Sequence, residues 1–400
     1  MENVYDIRKN EKLLYILPKE GQGIYVDSVL TDAVAVVVNL YYPDLVSWYM
    51  EYLNKVPKEI DVYVISSNAV VSEEVKKHQR RDMFFLGKEN RGRDVSALLV
   101  AFRKYVKRYE YICFLHDKKA NYSGSEKDAR LWNYNLWENT ISSPGYIGEV
   151  LQLFLEKPDL GLLVPPEPFG EYYVAWAGNG WAQNFRNTVE LAEKLSLNCA
   201  FDEIKSPIAY GTVFWAKTDC LMKLLEYEWK YEDFSEEPLA PDGTISHAIE
   251  RILPYVAQDA GGKTATIMTT SYAEELLLSV QDSMKKMQAV LSEELNIHCM
   301  HQLYTRKQRE ERVKSFCGKV SRIFIYGAGQ YGKSMLKELL RQNIRPEGFV
   351  VSDGRRTDTQ MQGYPVMEIG ELGSDEQIGI IVATHYRYVK EIKSALRERG

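Results

Sequence analysis

The chain has 400 residues, 45% of them hydrophobic and 26% charged, with a net charge of −6. This length suits two or three domains, and the composition is that of an ordinary globular protein, which excludes low-complexity and fibrous architectures. A negative balance with no concentrated basic patch speaks against a nucleic-acid partner.

Residues Ala33–Val38 form a continuous apolar run, the pattern of a strand covered on both faces, and a turn follows at Pro43–Asp44. Leu45, Val46, Trp48, Tyr49, Tyr52 and Leu53 then recur at helical spacing. "DVYVISSN" and "DMFFL" are the next strands, and the second runs into "GKENRGRD". Val95, Leu98, Leu99, Phe102, Val106 and Tyr109 recur every three or four residues and predict a helix, which leads into the strand "YICFL". Further units follow: "LGLLVPP", a loop "EYYVAWAGNGW", a helix near 184–195, the strand "YGTVFWAK" and a helix in "PDGTISHAIERIL". Strand–helix alternation predicts a mostly parallel sheet with helices on both faces. Ligands of such sheets bind past the carboxyl ends of the strands. Asn68, Asn90–Asp94 and His116–Lys119 all fall there.

Residues 272–316 read as helical and amphipathic. At 319 the strand pattern restarts with "SRIFIYGAGQYGKSMLKELL", "GFVVSD" and "IGIIVAT". The expected organisation is an α/β sheet domain over 1–270, a helical linker over 271–318 and a small Rossmann-like α/β domain over 319–400.

The strongest chemical signal is composite: "ENRGRDVSALLVAFRKYVKRYEYICFLHDKK". A polar Asn-x-Gly-x-Asp turn enters a helix, which leads to a strand ending in charged residues. This order resembles the nucleotide-sugar site of GT-A glycosyltransferases. In those enzymes the turn and helix hold the nucleoside, and the strand end carries a D-x-D motif for metal and diphosphate. The resemblance makes Asn90, Gly92, Arg93, Asp94, His116, Asp117, Lys118 and Lys119 donor-binding candidates. Asp117 is the one carboxylate at the D-x-D position and so the candidate ligand for Mg²⁺ or Mn²⁺, which usually takes one or two carboxylates plus phosphates. Lys118 and Lys119 offer another way to neutralise a diphosphate, as point charges. The plain alternative is a solvated turn.

The chain also resembles the rhamnan synthesis F family of bacterial cell-wall polysaccharide enzymes. "VVNLYYPDL", "NRGRDVSALL", "YICFLHDKK", "LGLLVPP", "YGTVFWAK" and "DGTISHAIER" carry the likeness in order, over roughly residues 30–260. The family pattern leads one to expect His at the end of the first strand, where this chain has Asn39. The resemblance implies transfer of rhamnose or a similar sugar from a nucleotide donor such as dTDP-rhamnose onto a lipid-linked glycan.

An inverting transferase needs a base for the acceptor hydroxyl. Asp242, before the "GTISHAIER" helix, ranks first, Glu237 second and His247 third; an N-cap role is the plain alternative for Asp242. His247, Glu250 and Arg251 lie on the helix face opposite Ile245, Ile249 and Ile252. Trp176 and Trp181 are candidates to stack on acceptor sugars, with core packing as the alternative. In the C-terminal domain, "YGAGQYG" is a Gly-x-Gly-x-x-Gly between strand and helix. It nominates Gly327, Gly329 and Gly332 for a phosphate-bearing ligand, with Asp353 near the second strand's end.

Five scattered cysteines without CxxC spacing suit reduced thiols in a cytosol. The start is too charged for a signal peptide, and the run Ala33–Leu40 is too short to span a bilayer. The expectation is a cytoplasmic protein at the inner membrane face, with any membrane contact peripheral. Two other readings stand beside the transferase: a non-catalytic nucleotide-sugar-binding or scaffold protein, and an NAD-dependent oxidoreductase resting on 327–332. Oligomeric state is left open.

Overall fold

A computed structural model describes residues 14–21, 33–119, 126–167, 180–203, 210–295, 300–373 and 377–398. The chain divides into two compact units, Met1–Leu278 and Ser279–Gly400.

The first unit holds an eight-stranded sheet. Its strands are β1 (Leu14–Leu17), β2 (Val34–Asn39), β3 (Asp61–Ser66), β4 (Phe84–Gly87), β5 (Tyr111–His116), β6 (Leu160–Val164), β7 (Phe214–Lys217) and β8 (Lys263–Thr269). Their order across the sheet is β1-β8-β6-β7-β5-β2-β3-β4. Pairing is parallel except at β7, which runs against both β5 and β6. The mostly parallel α/β sheet expected from the strand–helix alternation is therefore present.

Every residue of β2 is buried, because its alternate side chains enter two different cores. Ala35 and Val37 join Ile112, Phe114, Leu99 and Phe102 on one face, with Ile249 and Ile252 packed in the same layer. Val36 and Val38 join Cys113, Leu115, Tyr49, Trp137 and Ile147 on the other. A strand with apolar layers on both sides carries no polar alternation, which is why this segment reads as an unbroken valine-rich run.

Helices α1 (Val46–Leu53), α2 (Ala69–His78), α4 (Glu126–Ile141) and α5 (Pro144–Glu156) belong to this unit, as do α6 (Phe185–Lys194) and α7 (Ile245–Asp259). The helix expected after the "NRGRD" turn is α3, spanning 93–106. It is broken into an α turn (Arg93–Ser96), a π turn (Ala97–Ala101) and a final α turn (Arg103–Val106). The extra residue of the π turn keeps Val95, Leu98, Leu99, Phe102 and Val106 all facing the core.

Helices α8 (Thr270–Leu295) and α9 (Met300–Cys317) occupy the segment expected to be helical. In the second unit, β9 (Arg322–Tyr326), β10 (Gly348–Val351), β11 (Gln360–Met361), β12 (Tyr364–Glu368) and β13 (Ile378–Val382) form a sheet in the order β11-β12-β10-β9-β13. Only the two-residue β11 is antiparallel. Helices α10 (Gln330–Arg341) and α11 (Tyr386–Glu398) complete it.

Candidate functional site

The site lies where the strand order reverses. From β2 the chain moves outward through β3 and β4, and β5 then returns to the other side of β2. The carboxyl ends of β2 and β5 mark the switch point at which such sheets take ligands. Asn39 and His116, the last residues of these strands, are register partners.

Asp117 follows at once and is only 7% exposed. Its Oδ2 accepts the backbone amides of Tyr41 (2.7 Å) and Tyr42 (2.8 Å), and its own amide donates to the Asn39 carbonyl. The carboxylate ties the exit of β2 to the exit of β5. Burial pushes its pKa up to about 6, against the pull of those two amides. No group of three or more His, Cys, Asp or Glu is arranged to hold an ion among the described residues. The geometry gives Asp117 a backbone-clamping role, and the described side chains around it do not assemble a complete divalent-ion site.

The two lysines have different surroundings. Lys119 is exposed and pairs with Asp44 at 2.6 Å. Lys118 is half-buried; its amide donates to the Tyr49 hydroxyl and its carbonyl accepts from Asn133. Its ammonium sits 4.0 Å from the centre of the Trp132 ring and has no hydrogen-bond acceptor among the described residues. Burial lowers its pKa, while Glu250 and Asp94 act through space to raise it. His116 faces carbonyl oxygens with both ring nitrogens: Nδ1 lies 2.8 Å from that of Asp117, and Nε2 lies 2.6 Å from that of Gly211. A neutral imidazole has one N–H, so only the doubly protonated ring donates to both.

The turn after β4 brings a residue that the sequence reading missed. Lys88 donates to the carbonyls of Glu89 (2.7 Å) and Arg91 (3.4 Å), holding the turn from inside. Its burial pulls its pKa down to about 8, with Asp94, Glu237 and Glu89 opposing. Gly92 adopts φ +71°, and a Cβ there would lie 2.5 Å from Cγ of Phe234. Arg93 also has positive φ, at 44°; its Nε pairs with Glu237 Oε1 at 3.3 Å. Asn90 accepts from the Ser67 hydroxyl. Asp94 has no hydrogen-bond or ion-pair partner among the described residues, yet it lies within electrostatic range of both Lys88 and Lys118.

At the start of α7 the N-cap is Thr244, not Asp242. Thr244 and His247 form a reciprocal cap, with His247 Nδ1 2.8 Å from the Thr244 hydroxyl and 3.4 Å from its amide. Asp242 instead accepts from the Gln183 amide (2.9 Å) and the Asn184 side chain (2.5 Å), tying the start of α6 to the loop before α7. Burial pushes the Asp242 carboxyl up, but the hydrogen bonds from Asn184, Gln183 and Gly243 outweigh it and leave the pKa below the usual range. Burial lowers the His247 pKa. Glu237 is held by Arg93 and by the Leu239 amide (2.8 Å).

Arg251 is only 8% exposed, although it lies on the helix face opposite Ile245, Ile249 and Ile252. It donates to the carbonyls of Gly180 and His247 and contacts Glu250 at 3.2 Å. Glu250 in turn accepts the Gly211 amide at 2.6 Å. The Gly211 peptide, at φ +78°, is thus gripped on one side by His116 of β5 and on the other by Glu250 of α7. No local pattern in the sequence signals this link, because its two ends lie far apart in the chain.

Trp181 is 5% exposed and packs among Phe185, Phe201 and Tyr255, its indole N–H donating to the Asp202 carbonyl. Its faces belong to the core, so it offers no surface for a sugar. Trp176 lies outside the described residues.

In the second unit, Gly327 (φ +114°) is confined: a Cβ would lie 2.5 Å from the Ala383 carbonyl oxygen. A Cβ on Gly332 would overlap the Gly327 carbonyl, so this glycine serves close helix–strand packing. Gly329, the N-cap of α10, faces open space. The Asp353 carboxylate accepts the Gly370 amide at 2.8 Å.

Residues 1–261 match the family model described as Rhamnan synthesis protein F. The chain is also similar to "Uncharacterized protein WxcX" of Xanthomonas campestris pv. campestris, in each of two strains 25% identical over 248 residues. The match covers 60% of this chain and 34% of those proteins, so the chain spans about a third of the length of the curated relatives it matches.

Proposed function

The chain belongs to the rhamnan synthesis protein F family, and from that premise we propose that its first unit is a GT-A-like glycosyltransferase of polysaccharide synthesis. The donor is a nucleotide sugar, with rhamnose carried on a nucleoside diphosphate as the first choice. The acceptor is a lipid-linked glycan reached from the cytoplasmic side. No helix among the described residues is long and apolar enough to cross a membrane.

One observation carries the reading. The Lys118 ammonium stands at the switch point with a ring on one side and no hydrogen-bond acceptor among the described residues. A half-buried ammonium has three donors to satisfy, and a diphosphate supplies oxygens for them. The charge of the leaving group falls on Lys118 rather than on a metal, and Lys119, already paired with Asp44, has a lesser part. The 88–94 turn is the nucleoside side of the site. Gly92 and Arg93 give it its shape, and the Asp94 carboxylate, without a hydrogen-bond or ion-pair partner among the described residues, accepts from sugar or ribose hydroxyls.

Asp242 is the acceptor-activating base. Its hydrogen bonds keep it ionised, as a base must be, and each oxygen retains a further lone pair. His247 fits the base role less well: its Nδ1 lone pair faces the Thr244 cap, which leaves Nε2 as the N–H. Asp242, Glu237 and Glu250 are all engaged, which favours a second reading, a binding protein without turnover. In the second unit the open position at Gly329 favours a phosphate-bearing ligand on the glycine turn.

A thermal-shift panel of nucleoside diphosphates, nucleotide sugars and NAD, followed by a transfer assay, separates these readings. A ligand that binds only the native state raises the midpoint. All seven tryptophans lie in the first unit, so their fluorescence follows that unit alone. A midpoint raised by diphosphates together with sugar transfer supports the transferase. A raised midpoint without transfer supports the binding protein, and no response of the first unit to any nucleotide contradicts both.

A further inference from the structure

Helix α8 carries an apolar stripe that the sugar chemistry does not use. Ala273, Leu277, Val280, Met284, Met287 and Leu291 follow one another in steps of four, three, four, three and four residues. That 3.5-residue repeat is the seam of a two-helix coiled coil, distinct from the broader face of a helix packed on a globular core. Its first turn is anchored: Tyr272 is buried, and its amide donates to the Thr269 hydroxyl. Beyond that turn, Leu277, Leu278, Met284, Met287 and Val290 are each more than half exposed.

We propose that this seam pairs with the same helix of a second copy of the chain. The flanking positions decide between occupants. Beside the seam stand Leu276, Gln281, Ser283, Gln288 and Val290, none of them charged; the charged flank, Glu274, lies next to Ala273 in the anchored first turn. An identical helix can therefore lie against them without like-charge repulsion, which oppositely charged flanks on a different partner would not require. The helix as a whole bears five acidic residues (Glu274, Glu275, Asp282, Glu293 and Glu294) against two lysines, Lys285 and Lys286, a net of −3. Helices that lie on anionic lipid have the opposite balance, with a basic polar face. A second copy accounts for both the repeat and the charge.

Sedimentation velocity of the 400-residue chain across the micromolar range tests this. The wild type is expected to dimerise in a concentration-dependent way. Met284→Glu and Met287→Glu, each placing a carboxylate in the seam, are expected to weaken dimerisation at least tenfold with the tryptophan-detected melting of the first unit unchanged. Met284→Leu, a better-packing side chain at the same position, is expected to preserve or tighten the dimer. A wild type that stays monomeric throughout, or a dimer that survives both charged substitutions, overturns the proposal. So does a monomeric wild type that floats with phosphatidylglycerol vesicles while the charged variants do not.

Discussion

Asp117→Asn separates the clamp from the charge at the switch point. The carboxylate is buried, and its pKa is raised from 3.8 to about 6 by desolvation. The sign follows from the linkage of proton binding to folding. Below about pH 4 the group is protonated in both folded and unfolded chains. As pH rises toward 6 the unfolded chain ionises first, and the folded state loses the stability associated with holding the proton. A rise of about two units is worth at most about 3 kcal/mol. Asn keeps a carbonyl oxygen able to accept the Tyr41 and Tyr42 amides but never ionises. The stability of the variant relative to wild type should therefore climb between about pH 4 and 7, toward that figure. Urea unfolding followed by tryptophan fluorescence reads this difference for the first unit alone. Taking the difference removes opposing groups such as His247, whose lowered pKa makes the wild type lose stability as pH falls. A difference that is flat with pH, or that moves against the variant as pH rises, would refute the reasoning.

Gly92→Ala should lower the melting midpoint of the first unit and weaken donor binding. The left-handed backbone alone costs about 1–2 kcal/mol, and the methyl meets Phe234; an unchanged midpoint contradicts this. Asp242→Asn should reduce turnover by about 10²–10⁴-fold with donor affinity nearly intact, and near-normal turnover removes Asp242 from the mechanism. Donor binding and turnover should persist in EDTA; complete loss restored by Mg²⁺ or Mn²⁺ would show that Asp117 and a ligand beyond the described residues hold an ion.

Much of the fold is legible because it rests on unbroken apolar runs. The valines of β2 and the "YICFL" of β5 have nowhere to go but between two helical layers, and their polar ends collect at one edge. The features that escape sequence reading depend on partners remote in the chain. Nothing near β7 says that it runs antiparallel. Periodicity alone gives a helix over 95–109 but cannot reveal that a π turn keeps both Leu98 and Phe102 inward. Arg251 reads as a surface cation until the Gly180 and His247 carbonyls are seen to receive it. Asp242 reads as a base with a helix cap as its alternative, but Thr244 stands two positions nearer the helix and takes the cap, leaving the carboxylate for Gln183 and Asn184. Lys88 is an ordinary lysine in sequence; only the folded turn buries it.

The central claim is that the end of β5 holds a nucleoside diphosphate through Lys118. Calorimetric titration of dTDP into wild type, Lys118→Ala and Lys119→Ala tests it most directly. Loss of the Lys118 ammonium should weaken binding by about 1.5–3 kcal/mol, roughly ten- to a hundredfold, as for hydrogen bonds to a charged group. Lys119→Ala should change it far less, because that ammonium is exposed and already paired with Asp44. Equal affinity for dTDP in wild type and Lys118→Ala, with both proteins folded, would contradict the account.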